Sequence, residues 1–246
     1  MPEYFRTRAS CVGRAIELLR AHDGPAVVGF DFPMGYPSLP GGGRVMPEGR
    51  TLAAMLAERI EDRDDDRNNR FEVAAALNVE IASGLGSTQG PFWGCTIDQP
   101  RGLLRTRPDP FPVPEYRPCE IELRAAGYRP QSAWKLAYPA SVGSQTLTGM
   151  ARVHEMLTHR DLGPRCWIWP FEAPPARSDA IAIAEVWPGL SPFDAPEYTR
   201  VSEIRDARQV LATRDSLRAI DPGARNPACT GGWILNADPS VGRPTR

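Results

Sequence analysis

Apolar residues recur along the chain in two rhythms, a helical one and short continuous runs, and the two alternate. Over residues 3–21, Phe5, Cys11, Ala15, Ile16, Leu18 and Leu19 fall at roughly helical spacing before the stop HDG, which predicts an opening helix. Residues 26–32, AVVGFDF, run apolar almost throughout and then break on Pro33, Gly35 and Pro37, the pattern of a buried strand entering a loop. Helical spacing returns over 51–61, with Thr51 near the N-cap, and over 71–85. Between about 89 and 145 it dissolves into a Pro-rich irregular stretch with one short helix around 119–127. So long an irregular stretch points to function when it carries aromatics. A helix is predicted over 145–158, a short strand over 166–171, a nearly continuous apolar strand over 179–187 and a final helix over 199–220. Unbroken apolarity in the third strand predicts cover on both of its faces.

Strands alternating with helices define an α/β fold with a mostly parallel central sheet flanked by helices. The 246 residues are expected to form one domain, 1–246, with an irregular insertion at about 89–145. A net charge of −1 gives no overall positive field, so any nucleic-acid contact would have to be local. Basic charge is almost all arginine, with Lys135 the single lysine. Five scattered cysteines without a C-x-x-C pair argue against a zinc site and a disulfide scaffold. Without an apolar signal core or a long apolar run, the expectation is a cytoplasmic protein with no membrane partner. The sequence carries no signature of a protein partner.

The acids carry the candidate chemistry. Asp31 sits near the end of the first strand before Pro33, and Glu185 repeats the arrangement before Pro188. On the last helix Ile204, Ala207, Val210, Leu211, Leu217 and Ile220 mark an apolar face that contains Asp206. Neither strand holds a basic residue near its acid. Each acid alone reads as a turn or helix residue satisfied by backbone. Jointly, three carboxylates converging without cations are most simply explained by Mg²⁺ or Mn²⁺ on oxygen ligands. Other constellations are thinner. No phosphate-cradling glycine loop and no G-x-S-x-G elbow is present. Gly143, Ser144 and Gln145 precede a helix, where backbone N–H groups could hold a phosphate, although an ordinary helix start is the simpler reading. The run DRDDDRNNR reads as a solvated charged loop.

The segments GFDFPMGYP, NNRFEVAAALN, GPFWGC, SVGSQTLTG, AEVWPGL, RDARQV and GWIL together resemble a bacterial group of predicted nucleases in the ribonuclease H-like superfamily, a domain family of unknown function. The resemblance implies a ribonuclease H-like fold and a metal-dependent phosphodiester hydrolase, with Asp31, Glu185 and Asp206 as catalytic metal ligands. It also implies that Arg70, Phe92 and Trp93 border the cleft, Arg70 contacting a phosphate and the rings stacking on a base, with Ser144 and Gln145 as further substrate contacts. A buried aromatic cluster is the competing reading of Phe92 and Trp93. The family's opening β-hairpin, which carries another acid, is missing from these residues, so a start placed too far downstream and an incomplete, inactive site are expected. Two alternatives stand beside the nuclease acting on nucleic acid. One is a non-catalytic small-molecule or protein-binding module on the same scaffold; the other is a hydrolase of a nucleotide or cofactor ester, which suits the neutral charge.

Overall fold

The computed structural model describes residues 3–95, 104, 107–191, 202–217, 222 and 231–237, and within the last helix the side chains of 208–215. Three strands, β1 (Ala26–Phe30), β2 (Cys166–Ile168) and β3 (Ile181–Glu185), form a wholly parallel sheet in the order β1-β3-β2. The helices are α1 (Arg8–Arg20), α2 (Gly49–Arg59), α3 (Arg70–Leu85), α4 (Pro118–Ala125), α5 (Val142–Thr158) and α6 (Ser202–Leu217). The α/β class and the parallel sheet expected from the pattern are therefore present. The strand predicted to be covered on both faces is the central one, and all five of its residues are buried.

Local chemistry accounts for the element ends. The Thr7 side chain accepts from the Ser10 N–H and caps α1, as a threonine at this position does. At the end of α3, Gly86 adopts φ 63°, a left-handed conformation that glycine takes at little cost. Thr51, expected near the N-cap of its helix, lies inside the first turn of α2, where Glu48 is the N-cap and makes no side-chain capping bond. The expected irregular insertion holds the expected short helix as α4, together with the start of α5 and a parallel bridge that joins Trp93 to Lys135.

Strand alternation sorts the sheet into two faces. On the first, Ala26, Val28, Phe30, Cys166, Ile168, Ile181 and Ile183 pack into the main core with α2, α3 and α5. Helix α5 lies along α2, and Leu52, Ala53, Leu56, Leu147 and Met150 share the main core with essentially no exposure. On the second face, Val27, Trp167, Trp169, Ala182, Ala184, Val186 and Leu235 form a smaller cluster. Among the described residues no helix is long and apolar enough to cross a membrane.

Candidate functional site

Both strand-end acids reach the carboxyl edge of the sheet, where ligands of parallel sheets gather. The register places Phe30 opposite Glu185, so Asp31, one residue further on, follows the alternation onto the other face. Contacts agree. Asp31 is exposed and lines a cavity with Val27, Gly29, Ala182 and Val186, whereas Glu185 bonds the Met34 N–H and Arg117. Strand order thus brings these two acids to one rim, and strand alternation separates them.

Glu185 also has the cation that its own strand lacks. Arg117, at the start of α4 and fully buried, donates Nη1 to Glu185 Oε2 at 2.6 Å and Nη2 to Oε1 at 2.7 Å, a two-pronged pairing of fork and carboxylate. The same guanidinium donates Nε and Nη2 to Glu120 Oε1, and the Arg117 backbone N–H donates to Glu120 Oε2 at 2.8 Å. Burial pushes the Glu120 carboxyl up, a shift that Arg117 only partly offsets. Burial disfavours the charge on Arg117, but Glu120 and Glu185 outweigh it and hold its pKa well above the usual value. The expectation that no basic residue serves Glu185 is therefore corrected: its partner is 68 positions away along the chain. Arg117 and Glu120 escaped the sequence reading. Their one local trace is the run RPCE, with Pro at the first helical position and Glu at the third, a helix-start pattern.

These facts bear on the expected Mg²⁺ or Mn²⁺ centre. Such an ion needs carboxylate oxygens free to approach to about 2.0–2.1 Å, and both Glu185 oxygens are engaged by a guanidinium, with Asp31 on the opposite face. Asp31 and Glu185 therefore do not fit one shared ion. Asp206 belongs to α6, and its side chain lies outside the described residues. Among the described residues no group of three or more His, Cys, Asp or Glu is placed to hold a metal.

The five expected substrate contacts divide. Phe92 is fully buried, edge-on to Tyr36 and Trp134 at centroid distances of 5.6 and 5.0 Å, so its ring belongs to a core cluster and cannot stack on a base. Trp93 is half-buried, with Lys135 Nζ 5.9 Å from its ring centre. Arg70 and Ser144 are brought together: Arg70 Nε donates to Ser144 Oγ at 3.1 Å, and that hydroxyl donates to the Leu136 carbonyl. Gln145 is exposed beside them. The backbone N–H groups of Gly143 and Ser144 are bonded to the Lys135 and Ser141 carbonyls. A Cβ on Gly143 would lie 2.5 Å from the Ala133 carbonyl oxygen, so this glycine serves close packing, and the simpler reading of an ordinary helix start holds for it. The charged run also differs from its solvated reading. Asp62 is nearly buried, bonded by Arg8 and Arg152. Burial alone would raise its pKa, but those two guanidinium partners reverse the effect and hold it below the usual value.

A cavity of about 1050 Å³ opens on the second face of the sheet. Its floor is Val27, Ala182 and Val186, its wall includes Trp167 and Pro174, and α6 closes it through Val210 and Thr213. Asp31 brings a carboxylate to this apolar space, while Arg177 and Arg214 reach its lining already paired with Asp179 and Asp215. Size, shape and lining are those of a small-molecule site, an apolar concavity with few polar groups. In comparisons with known proteins, no family model, no curated protein and no solved structure matches this chain.

Proposed function

We propose that the chain is a small-molecule-binding module whose ligand enters the cavity between the sheet and α6, with its apolar body on Val27, Ala182 and Val186 and a polar group toward Asp31. The observation that supports this is the placement of a roomy, largely apolar cavity beside the ends of two parallel strands, with a strand-end carboxylate in its lining. A compact ligand suits it better than a nucleic-acid strand. The net charge is −1, and Phe92, one of the two rings expected to stack on bases, is in the core. The test is a thermal-shift screen of nucleosides, nucleotides and aromatic amines against the wild type and Ala182→Phe, whose new ring would fill the floor. A ligand that raises the melting temperature of the wild type and not of the variant supports the reading; equal shifts in both sink it.

One observation favours a second reading, the metal-dependent phosphodiester hydrolase on a ribonuclease H-like scaffold. Asp31 lines the cavity that α6 closes, and α6 is the helix that carries Asp206. On this reading the substrate is a nucleotide or cofactor ester of cavity size. Hydrolysis of dinucleotides with added Mn²⁺ that is lost in both Asp31→Asn and Asp206→Asn would support it, and absence of any turnover would count against it.

A further inference from the structure

A second region, separate from the cavity, holds two cations, Arg70 and Lys135, that have no ion pair among the described residues. Between Glu122 and Glu155 the sequence holds Arg124, Arg129, Lys135 and Arg152 and no acid at all, within a chain of net charge −1. Arg152 is taken by Asp62 and Glu155. Lys135 is different: its Nζ donates to neutral oxygens, the Pro139 carbonyl at 2.7 Å and the Gln131 side chain at 3.3 Å. Arg70 faces the same segment from the start of α3. It is half-buried, its guanidinium stacks 4.4 Å over the Phe71 ring, and its bonds go to the neutral Ser144 Oγ and Asn68 Oδ1.

Among the described residues Arg70 has no ion pair, although a half-buried cation normally finds one. Its charged surroundings are mixed. Arg8 repels it, while Glu72 and Asp62 attract it only from a distance, and burial is the larger influence, lowering its pKa. Two more features lie at the Lys135 end of the region. Among the described residues the Trp93 indole Nε1–H is buried with no hydrogen-bond partner, and Lys135 Nζ lies 5.9 Å from that ring's centre. The connecting turn holds Tyr138 at φ 71° and Ala140 at φ 61°, left-handed conformations unfavourable for residues with a Cβ and concentrated at functional sites.

We propose that the start of α3, the start of α5 and the 133–141 turn form a binding site for a phosphate-type oxyanion, with Arg70 as its principal cation and Lys135 as the second. An oxyanion supplies what the fold withholds: a negative charge at contact distance for a desolvated guanidinium with a donor to spare. The start of α3, tied to Ser144 by the Arg70 bond, adds its positive end to the same region. This site does not depend on the occupant of the cavity, since its residues lie in α3, α5 and the 133–141 turn and none of them lines the cavity.

The test is calorimetric titration of the full chain with inorganic phosphate, at ionic strength held constant with chloride. Saturable binding by the wild type, weakened about tenfold or more in Arg70→Gln and partly restored in Arg70→Lys, is expected from the loss of a charged hydrogen-bonding group. No saturable binding by the wild type, or equal binding by Arg70→Gln, overturns the proposal. Should Arg70→Gln fail to fold by circular dichroism, Lys135→Gln carries the same test, with about threefold weakening expected and unchanged binding overturning it. Adenosine monophosphate in place of phosphate separates the sources of the group. Tighter binding assigns a phosphate ester, weaker binding assigns the free ion, and either supports the site.

Discussion

Arg117 is the most constrained charged residue among those described. It has no measurable exposure, two carboxylates and a backbone carbonyl as partners, and contacts that tie β3, the loop after β1, α4 and the segment at 231 into one knot. A buried ion pair adds little net stability when intact, but removing one partner strands the other charge without water. Arg117→Met is therefore expected to cost about 3–5 kcal/mol in urea unfolding. Glu185→Gln, which keeps a hydrogen-bonding oxygen, is expected to cost about 1–3 kcal/mol, with the same difference in the presence and absence of Mn²⁺. A wild-type stabilisation by Mn²⁺ that Glu185→Gln abolishes would instead return Glu185 to a metal. The pH dependence follows from two carboxyls of opposite sign. Glu120 is raised by burial, so from about 4.3, the unfolded glutamate value, up through its native value the folded chain holds more protons. Stability must fall as pH rises through that window. Asp62 is held down by Arg8 and Arg152, so its contribution is present above about 3.9 and is lost as pH falls through its lower native value. Unfolding midpoints measured between about pH 3 and 7 should lose the upper slope in Glu120→Gln and the lower one in Asp62→Asn.

At the scale of the element, two helical glycines that look alike in sequence should respond oppositely to the same substitution. Glycine inside a helix costs about 0.5–1 kcal/mol relative to alanine. In α1, a Cβ on Gly13 would meet nothing within 4 Å, so Gly13→Ala is expected to stabilise by that amount. In α5, a Cβ on Gly149 would lie 2.4 Å from the Phe32 ring, because the chain leaving β1 crosses the helix there. The overpacking, typically about 1–3 kcal/mol, exceeds the propensity gain, and Gly149→Ala should destabilise. Urea midpoints of the two variants check both signs. Helices α1, α3 and α5 are found within a few residues of their expected positions, since repeating apolar residues and terminal glycines are local signals. The expected strand over 166–171 shrinks to Cys166–Ile168: the Trp169 N–H still donates to the Ile183 carbonyl, but Pro170 has no N–H with which to continue the ladder.

For the molecule as a whole, the sheet is a partition between the main core on one face and, on the other, a smaller cluster beside a hollow. A bulky side chain on the floor of the hollow should remove binding at a cost in stability. Ala182 is buried in the central strand, so Ala182→Phe is expected to destabilise by about 1–3 kcal/mol, as is typical of overpacking, and to abolish saturable binding of an apolar fluorescent probe that the wild type takes up. Retained probe binding would show that the probe sits elsewhere. The contrast between the two strand acids shows where sequence reading stops. Asp31 and Glu185 were legible as strand-end carboxylates at one rim, from apolar runs broken by proline. Their placement on opposite faces was not, because it rests on the pairing of Phe30 with Glu185 across strands more than 150 residues apart. Likewise, Arg70 and Ser144 were legible as polar residues in suggestive loops, but their meeting across 74 positions was not. By itself the sequence determined the succession of parallel strands and helices and the neutral overall charge, since these depend on periodicity and composition. Only the tertiary structure decided which cation each buried acid received and which face each strand-end group occupied. Electrostatic partners and strand register are set by distances through space, and separation along the chain does not encode them.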